Sequence, residues 1–274
     1  MPRPSHAILM RLLDESVRTR DPSRLMRFLK HESRLPGPRG NLEIARAFGD
    51  GVASRAAPAR SALWDLCNHL TRLTPEEAPE NTPAGFLPVC GALALGALAA
   101  GAPDLAVRAL GRLKALAADP RWRTREGAAM GVQRLLATSP APTLRVLTRW
   151  VRGDDWLAMR AVAAAVAEPA LLRDLTTVEA AVRLHRAIIT RVLAARERTG
   201  EGFRILRQAL GYSISVVATV APREGFEMLR ILAASRDPDG LWIVRENLKK
   251  HRLAAGFPRH AAALAAQVSK GTRR

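Results

Sequence analysis

The stretch LPVCGALALGALAAG, residues 87–101, is the longest apolar run in the chain. It consists mainly of Ala and Leu, two strong helix formers, with glycines at positions 91, 96 and 101. A membrane-spanning helix needs about 20 apolar residues, and this run is shorter, at about 15. The sequence therefore predicts a helix that is buried inside a folded protein and does not span a membrane.

The same preference for Ala and Leu extends over the whole chain of 274 residues. Apolar residues make up 48% of the sequence, but only 4% of it is aromatic. No segment shows the alternation of β-branched residues that is typical of strands. The chain is also long enough to bury a sizeable core. We therefore predict an all-α fold that forms a single domain over residues 1–274.

Proline, glycine and polar clusters divide the chain into segments of ordinary helix length. Loops are predicted at 34–41, which reads RLPGPRGN, and at 74–85, where the acidic, proline-rich TPEEAPENTP suggests a mobile surface segment. Predicted helices lie near 5–19, 22–31, 41–55, 58–72, 86–100, 103–117, 123–137, 141–151, 156–167, 176–198, 202–212, 214–220, 223–234, 240–251 and 258–269.

A charged phrase recurs along the chain, with a Trp between an Asp and the Arg six positions later. It appears as Asp119/Trp122/Arg125, Asp154/Trp156/Arg160 and Asp239/Trp242/Arg245, and without the Trp in Glu201–Arg207. These phrases begin at 119, 154, 201 and 239, so the intervals are 35, 47 and 38 residues. Two-helix HEAT repeats have a period of about 40–47 residues. The spacing predicts a HEAT-like helical-repeat solenoid, a right-handed α–α superhelix, in which such acid–arginine pairs could also tie neighbouring repeats together.

The net charge indicates the kind of partner. The chain has 43 Lys and Arg against 25 Asp and Glu, a formal charge of +18, and 38 of the basic residues are arginines. Such an excess attracts polyanions by counterion release. We predict double-stranded DNA, contacted through its backbone, as the partner. An acidic protein is the alternative, and an anionic membrane surface is less favoured.

Cysteines and histidines give no sign of a metal centre. Cys67 and Cys90 are too few for a disulfide framework, which fits a reducing cytosol and a cytoplasmic protein, nucleoid-associated if it binds DNA. In WDLCNHL (64–70), Asp65 and His69 share a helix face that Cys67 does not, so a Cys–His nucleophile is not expected. No HExxH, phosphate-binding loop or dinucleotide fingerprint occurs. We expect no metal and no cofactor.

Three longer stretches carry a resemblance to a known family. LMRFLKHESRLPGPRGN (25–41) combines a helix with a Pro-Arg turn. RWVRGDDWLAMRAVAAAV (149–166) carries two Trp, with paired Asp before the second Trp and an Arg four residues after it. FRILRQALGYSISVVATVAPREGFEML (203–229) follows Gly-Tyr with a proline turn. In order and spacing they resemble the AlkD-like DNA alkylation-repair glycosylases over about residues 20–235. The helices in 236–274 lie beyond the matched part and form a further C-terminal repeat.

The resemblance implies excision of cationic 3- or 7-alkylpurines by hydrolysis of the N-glycosidic bond. Trp122 and Glu126 take the places of the family's Trp-x-x-x-Asp, Arg160 that of its arginine, and Tyr212 that of its second aromatic. The aromatic faces would stabilise the cationic base, the carboxylate the oxocarbenium-like transition state, and the arginine would hold a phosphate. Glu126 is one methylene longer than the family's Asp, and Tyr212 is the smaller aromatic, so a catalytically silent relative is an open alternative.

A basic concave face is the expected DNA-binding surface. Its predicted members are Arg160, Trp156, Arg123, Arg149, Arg204, Arg207, Arg245 and Lys249. For Trp122 and Trp156, packing in the core is an equal alternative. For Glu126, the alternative is an acid on the helix surface or one that links repeats. Two other functions stay open for the whole protein: a non-catalytic HEAT-like protein that grips the backbone of DNA or RNA, and a protein–protein scaffold with an acidic partner.

Overall fold

A computed structural model describes residues 4–271 of the chain, apart from the side chains of residues 56–58 and 270. Every regular element in the described range is a helix, and no strand occurs there. The prediction of an all-α fold is therefore confirmed. The described helices include none with the length and apolar character needed to cross a membrane.

The α-helices follow one another along the chain, and a 3-10 turn lies at Pro103–Leu105. Their bounds are α1 Pro4–Thr19, α2 Ser23–His31, α3 Leu42–Ala53, α4 Ala56–Arg72, α5 Phe86–Ala100, α6 Ala106–Ala117, α7 Trp122–Thr138, α8 Pro140–Arg152, α9 Trp156–Val166, α10 Leu175–Ala194, α11 Glu201–Val220, α12 Pro222–Ala234, α13 Pro238–Leu248, α14 His251–Ala254 and α15 Pro258–Gly271. Side chains of Asn41, Asp155, Asp174 and Asp237 cap α3, α9, α10 and α13 by accepting from backbone N–H groups of the first turn.

The chain divides into two compact units, Met1–Thr143 and Leu144–Arg274. In the first unit, α1 packs on α3, α3 on α5, and α5 on α7. In the second, α9 packs on α11 and α11 on α13. Within each unit, alternate helices therefore pack together, and so do consecutive helices such as α4 and α5 or α11 and α12. The prediction of one domain over residues 1–274 stays a prediction.

Helix α5 is the centre of the first unit. All of its residues except Ala100 are buried, so the prediction of a buried helix from the run at 87–101 is confirmed. Gly96 of α5 and Gly131 of α7 allow the two backbones to pack directly: a Cβ at Gly96 would lie 2.1 Å from the Gly131 carbonyl oxygen, and one at Gly131 would lie 2.5 Å from that of Ala92. Only residues without a side chain permit this approach.

Helix α11 is the centre of the second unit, and it is continuous where the sequence suggested a break at residue 213. That prediction is wrong because side chains of neighbouring helices pack against the glycine there and form hydrogen bonds with the serines. Gly211 lets the Trp242 ring approach closely, since a Cβ would lie 3.1 Å from it. The buried Ser213 hydroxyl lies 2.9 Å from Nε2 of His185, and the Ser215 amide donates to Oδ1 of Asn247 at 2.7 Å. Paired polar groups are tolerated inside a packed helix.

The acids of the recurring phrase form ion pairs, but with arginines that the six-residue spacing did not indicate. Asp119 pairs with Arg121 at 2.7 Å, Asp154 pairs with Arg191, and Asp239 pairs with Arg207 at 2.5 Å. Arg125 donates to the backbone carbonyls of Asp119 and Pro120, at 2.7 and 2.8 Å, which end the turn before α7. The acids of the phrase therefore have a structural role as members of ion pairs.

Candidate functional site

A cavity of about 790 Å³ opens in the first unit, between loop 34–41 and the first two turns of α7. Its surface is mostly apolar, with Pro36, Pro38, Leu42, Phe86, Val89 and Met130 among the lining residues. Charged side chains at the cavity are Arg34, Arg39, Glu43, Arg123 and Glu126. An apolar cleft with a few convergent polar groups is the usual form of a ligand site.

Trp122 and Glu126 line this cavity together. Trp122 is the first residue of α7 and is 47% exposed, an unusual state for so large an apolar side chain in this protein. Glu126 follows one helical turn later and is half-buried. Residues four apart lie on one helix face, so the wall of the cavity presents an indole and a carboxylate side by side. The first stretch of the family resemblance, ending in loop 34–41, forms the opposite side.

Arg123 joins the walls of the cavity. Its Nη1 lies 2.7 Å from Oε1 of Glu80, its Nη2 donates to the Gly37 carbonyl at 2.7 Å, and its guanidinium lies 4.4 Å from the Trp122 ring centroid. Only 8% of the residue is exposed. The guanidinium predicted to contact DNA thus makes its bonds within the wall, where a cation–π contact also fixes one face of the indole.

The segment 74–85, which the sequence suggested as mobile, is anchored at several points. Arg121 is buried and donates to the carbonyls of Leu73, Thr74 and Ala78 at 2.9–3.1 Å. Asn81 Oδ1 accepts from the Gly37 amide at 3.1 Å, which ties this segment to loop 34–41. Charge-assisted hydrogen bonds of this kind hold irregular backbone in one conformation. Arginines therefore anchor the segment, through its backbone carbonyls and through the Glu80 carboxylate.

Arg34 and Arg39 are candidate functional residues that the sequence analysis did not select. Both line the cavity and both are exposed, and neither forms a hydrogen bond or ion pair within the part of the chain that the structure describes. The signal was present in RLPGPRGN, where two arginines flank the turn. Which side of a loop faces a cavity depends on distant residues, so the Pro-Arg turn of this stretch does not by itself indicate a role for either arginine.

The other predicted site residues belong to the second unit. Arg160 is buried on α9, at 7% exposure, and Tyr212 is half-buried on α11. Trp156 is half-buried and packs edge-on against Phe203, with ring centroids 5.5 Å apart. Trp122 and Glu126 belong to the first unit, so the prediction that all four catalytic and phosphate-binding residues line one groove stays a prediction.

The predicted DNA-binding cations of the second unit differ in the ion pairs that they form. Arg207 pairs with Asp239 and stacks on Trp242 at 4.6 Å, Arg204 lies 3.5 Å from Glu201, and Lys249 pairs with Glu246. Arg245 is exposed on α13. Arg149 is exposed on α8 in a row with Arg145 and Arg152, and none of the three forms an ion pair with a described residue.

The two thiols are unsuited to chemistry. Burial raises the pKa of Cys67 to about 12 and that of Cys90 well above its usual value. A thiolate is needed for nucleophilic attack or metal binding, so neither cysteine is activated. Within residues 4–271, no three His, Cys, Asp or Glu side chains lie close enough together to hold a metal ion.

Comparison of the chain with protein-family models, with curated proteins and with solved structures gives no match. The functional argument therefore depends on the residues of the cavity and on the charges around them.

Proposed function

We propose that the protein binds DNA and excises cationic 3- or 7-alkylpurines by hydrolysing the N-glycosidic bond. One observation carries the proposal: the exposed Trp122 and the half-buried Glu126 share the wall of an apolar cavity. The exposed part of the indole gives a cationic base a π surface, a contact that contributes about 0.5–2 kcal/mol. The neighbouring carboxylate is the group that stabilises positive charge developing on the sugar.

The reaction itself needs few groups from the protein. An alkylated purine with a positive charge is already a good leaving group, so the C–N bond breaks with the electron pair going to the base. Water then adds to the sugar carbon and releases a proton to the solvent. Glu126 would stabilise the oxocarbenium-like sugar and orient that water. An apolar cavity strengthens this interaction, because few water dipoles compete with the carboxylate.

The proposed architecture is a HEAT-like solenoid, a right-handed α–α superhelix with a basic concave face. Alternate helices pack in series within each unit, which supports it. Hydrogen bonds between residues that are about one repeat apart in the sequence also support it. The separation is 41 residues for Arg112 and Thr71, 43 for Arg123 and Glu80, 44 for Arg60 and Asp104, and 41 for Arg186 and Glu227. A repeat of two helices has this period.

A second candidate function is non-catalytic binding to the nucleic acid backbone. The row of Arg145, Arg149 and Arg152 on α8 favours it, because these arginines are exposed and carry charge that no described acid neutralises. Backbone contacts of this kind give affinity without sequence selection. This function needs neither Trp122 nor Glu126.

Base release from duplex DNA containing 7-methylguanine tests the proposal. The Glu126→Gln variant keeps the shape of the side chain but removes its charge, so release should fall at least about 100-fold, the scale for loss of one preorganised electrostatic group. DNA affinity should change little, because backbone contacts dominate it. Glu179→Gln is the matched control, since Glu179 is exposed on α10, outside the cavity, and should release base like the native protein.

The outcomes separate the candidates. Tight DNA binding that weakens steeply with salt, without base release by the native protein, would leave the non-catalytic function as the better one. Base release that Glu126→Gln leaves unchanged would show that the carboxylate is not the catalytic group. An absence of DNA binding at low salt would contradict both candidates and favour a scaffold with an acidic protein partner.

A further inference from the structure

Loop 34–41 is held in one conformation by bonds at several points. The Asn41 amide donates to the Ser33 carbonyl at 3.0 Å, which closes the loop at its ends. The Leu35 amide donates to the Ser33 hydroxyl at 3.1 Å. In its middle, Gly37 donates to Asn81 and accepts from Arg123. The loop is therefore ordered before any ligand arrives, and its exposed side chains start from fixed backbone positions.

Arg34 stands at the start of this loop in an unusual backbone conformation. Its φ is 59°, in the left-handed region that residues with side chains rarely adopt. The approach of Gly37 depends on the same turn, since a Cβ there would lie 2.8 Å from the Arg34 carbonyl oxygen. Unfavourable conformations persist where the surroundings enforce them, and such residues concentrate at ligand sites. The loop therefore presents Arg34 to the cavity against its local backbone preference.

The cavity is lined by glutamates as well as arginines, but its two exposed arginines suit an anion joined to a flat, apolar body. Arg34 and Arg39 both line the cavity, and both keep their hydrogen-bonding capacity free of other described residues. A guanidinium binds phosphate with two parallel hydrogen bonds. The apolar floor and the Trp122 indole suit the flat body beside it. A nucleotide within a DNA strand combines these two parts.

We propose that Arg34 and Arg39 form a phosphate clamp, which grips the DNA backbone next to the nucleotide that Trp122 and Glu126 contact. The proposal rests on the proposed function, because it places the same DNA at the same cavity. It adds the part of the protein that sets the position of the DNA strand, which is the prearranged loop 34–41 on the wall opposite α7. Because the clamp would bind the substrate and the transition state alike, it contributes to affinity and not to the rate of the chemical step.

The salt dependence of DNA binding tests the clamp. Each phosphate contact contributes about 0.9 to the slope of log affinity against log salt for B-DNA, so Arg34→Gln/Arg39→Gln should reduce the slope by about 2. Between about 50 and about 200 mM salt, the variant should lose roughly tenfold less affinity than the native protein. With a 7-methylguanine duplex, KM should rise while kcat stays the same.

Two further variants serve as controls. Arg173→Gln/Arg230→Gln removes the same charge from two exposed arginines of the second unit, neither of which is bonded to a described residue, and should leave the slope near the native value. Arg34→Lys/Arg39→Lys keeps the charge, and lysine also binds phosphate, so most of the slope should return. Equal thermal midpoints for all the variants will show that the fold is intact.

The results distinguish failure of the clamp from failure of the proposed function. If the native protein binds and cleaves the damaged duplex, but the loop variant and the control variant give the same slope, the clamp alone is wrong. If the loop variant loses slope and no base is released by any variant, the clamp stands and the glycosylase activity is wrong. A native protein that does not bind DNA overturns both.

Discussion

Removal of the Arg123 guanidinium should destabilise the first unit more than it weakens binding to DNA. Arg123 was predicted from the sequence as a DNA contact, but its side chain joins the Glu80 carboxylate to the Gly37 carbonyl, both at 2.7 Å. The two roles give different results in Arg123→Gln. A wall residue affects the free energy of unfolding, whereas a phosphate contact affects the salt dependence of DNA affinity.

The contacts set the expected size of the effect. A hydrogen bond to a charged group contributes about 1.5–3 kcal/mol. Arg123 makes one with Glu80 and one with Gly37, but the Glu80 side chain is 32% exposed, so water replaces part of what the variant loses. We expect Arg123→Gln to lower the free energy of unfolding by about 2–3 kcal/mol. Glu80→Gln keeps an acceptor in place and should lower it by about 1 kcal/mol.

A double-mutant cycle isolates the contact between the two side chains. The variant with both changes should be more stable than the sum of the single effects predicts, with a coupling of about 1 kcal/mol. The assay is urea unfolding, followed by tryptophan fluorescence and by far-UV circular dichroism. Arg204→Gln is the control, because its pair with Glu201 is exposed and 3.5 Å long and should contribute less than about 0.5 kcal/mol.

One combination of results would refute this reasoning. If Arg123 and Glu80 show no coupling, and Arg123→Gln reduces the salt slope of DNA binding by about 1, then the side chain contacts phosphate and the wall contacts are incidental. A large coupling with an unchanged slope supports the structural role. The slope experiment uses the same duplex as the clamp variants, so the two sets of values are directly comparable.

Two further predictions concern buried titratable groups. Burial lowers the pKa of His185 from 6.5 to about 4. Between these pH values the unfolded chain binds more protons than the folded protein does. The free energy of unfolding should therefore fall by roughly 3 kcal/mol from about pH 7 to about pH 4. Urea unfolding against pH checks this, and His185→Gln should flatten that part of the profile. Because burial raises the pKa values of Cys67 and Cys90, a thiol reagent at neutral pH should modify the native protein at least about 100-fold more slowly than the unfolded chain. Equal rates would show that these helices open readily.

The sequence predicted most helices because the signals for them are local. Apolar runs, proline at helix starts and Asp or Asn caps specify where a helix begins, and α5 follows its run at 87–101 closely. The predicted helix break at residue 213 is wrong because the deciding contacts there are not local. Whether a glycine and two serines end a helix depends on what packs against them, and Trp242, His185 and Asn247 are far away in the sequence. Only the tertiary structure provides those partners.

The candidate site was predictable to a similar extent. The shared face of Trp122 and Glu126 follows from helix geometry alone. The cavity they line needs loop 34–41 as its second wall, and the bonds from Asn81 and Arg123 to Gly37 bring that loop into place across 44 and 86 residues. No periodicity in the sequence indicates contacts of this length. Arg34 and Arg39 were overlooked because their importance depends on that wall.

Some of the arginines are bonded within the protein, so the net charge alone does not show how many of them are available to a partner. A formal charge of +18 counts every cation equally. An arginine such as Arg207, whose guanidinium is bonded to Asp239 and stacked on Trp242, would have to give up those contacts to bind a phosphate. Since exchange of one carboxylate for one phosphate gains little net energy, such residues contribute weakly to affinity for DNA. Arginines that form no ion pair with a described residue, such as Arg34 and Arg149, lose mainly hydration, so the basic surface that meets a polyanion should follow their positions and not the recurring Asp–Trp–Arg phrase.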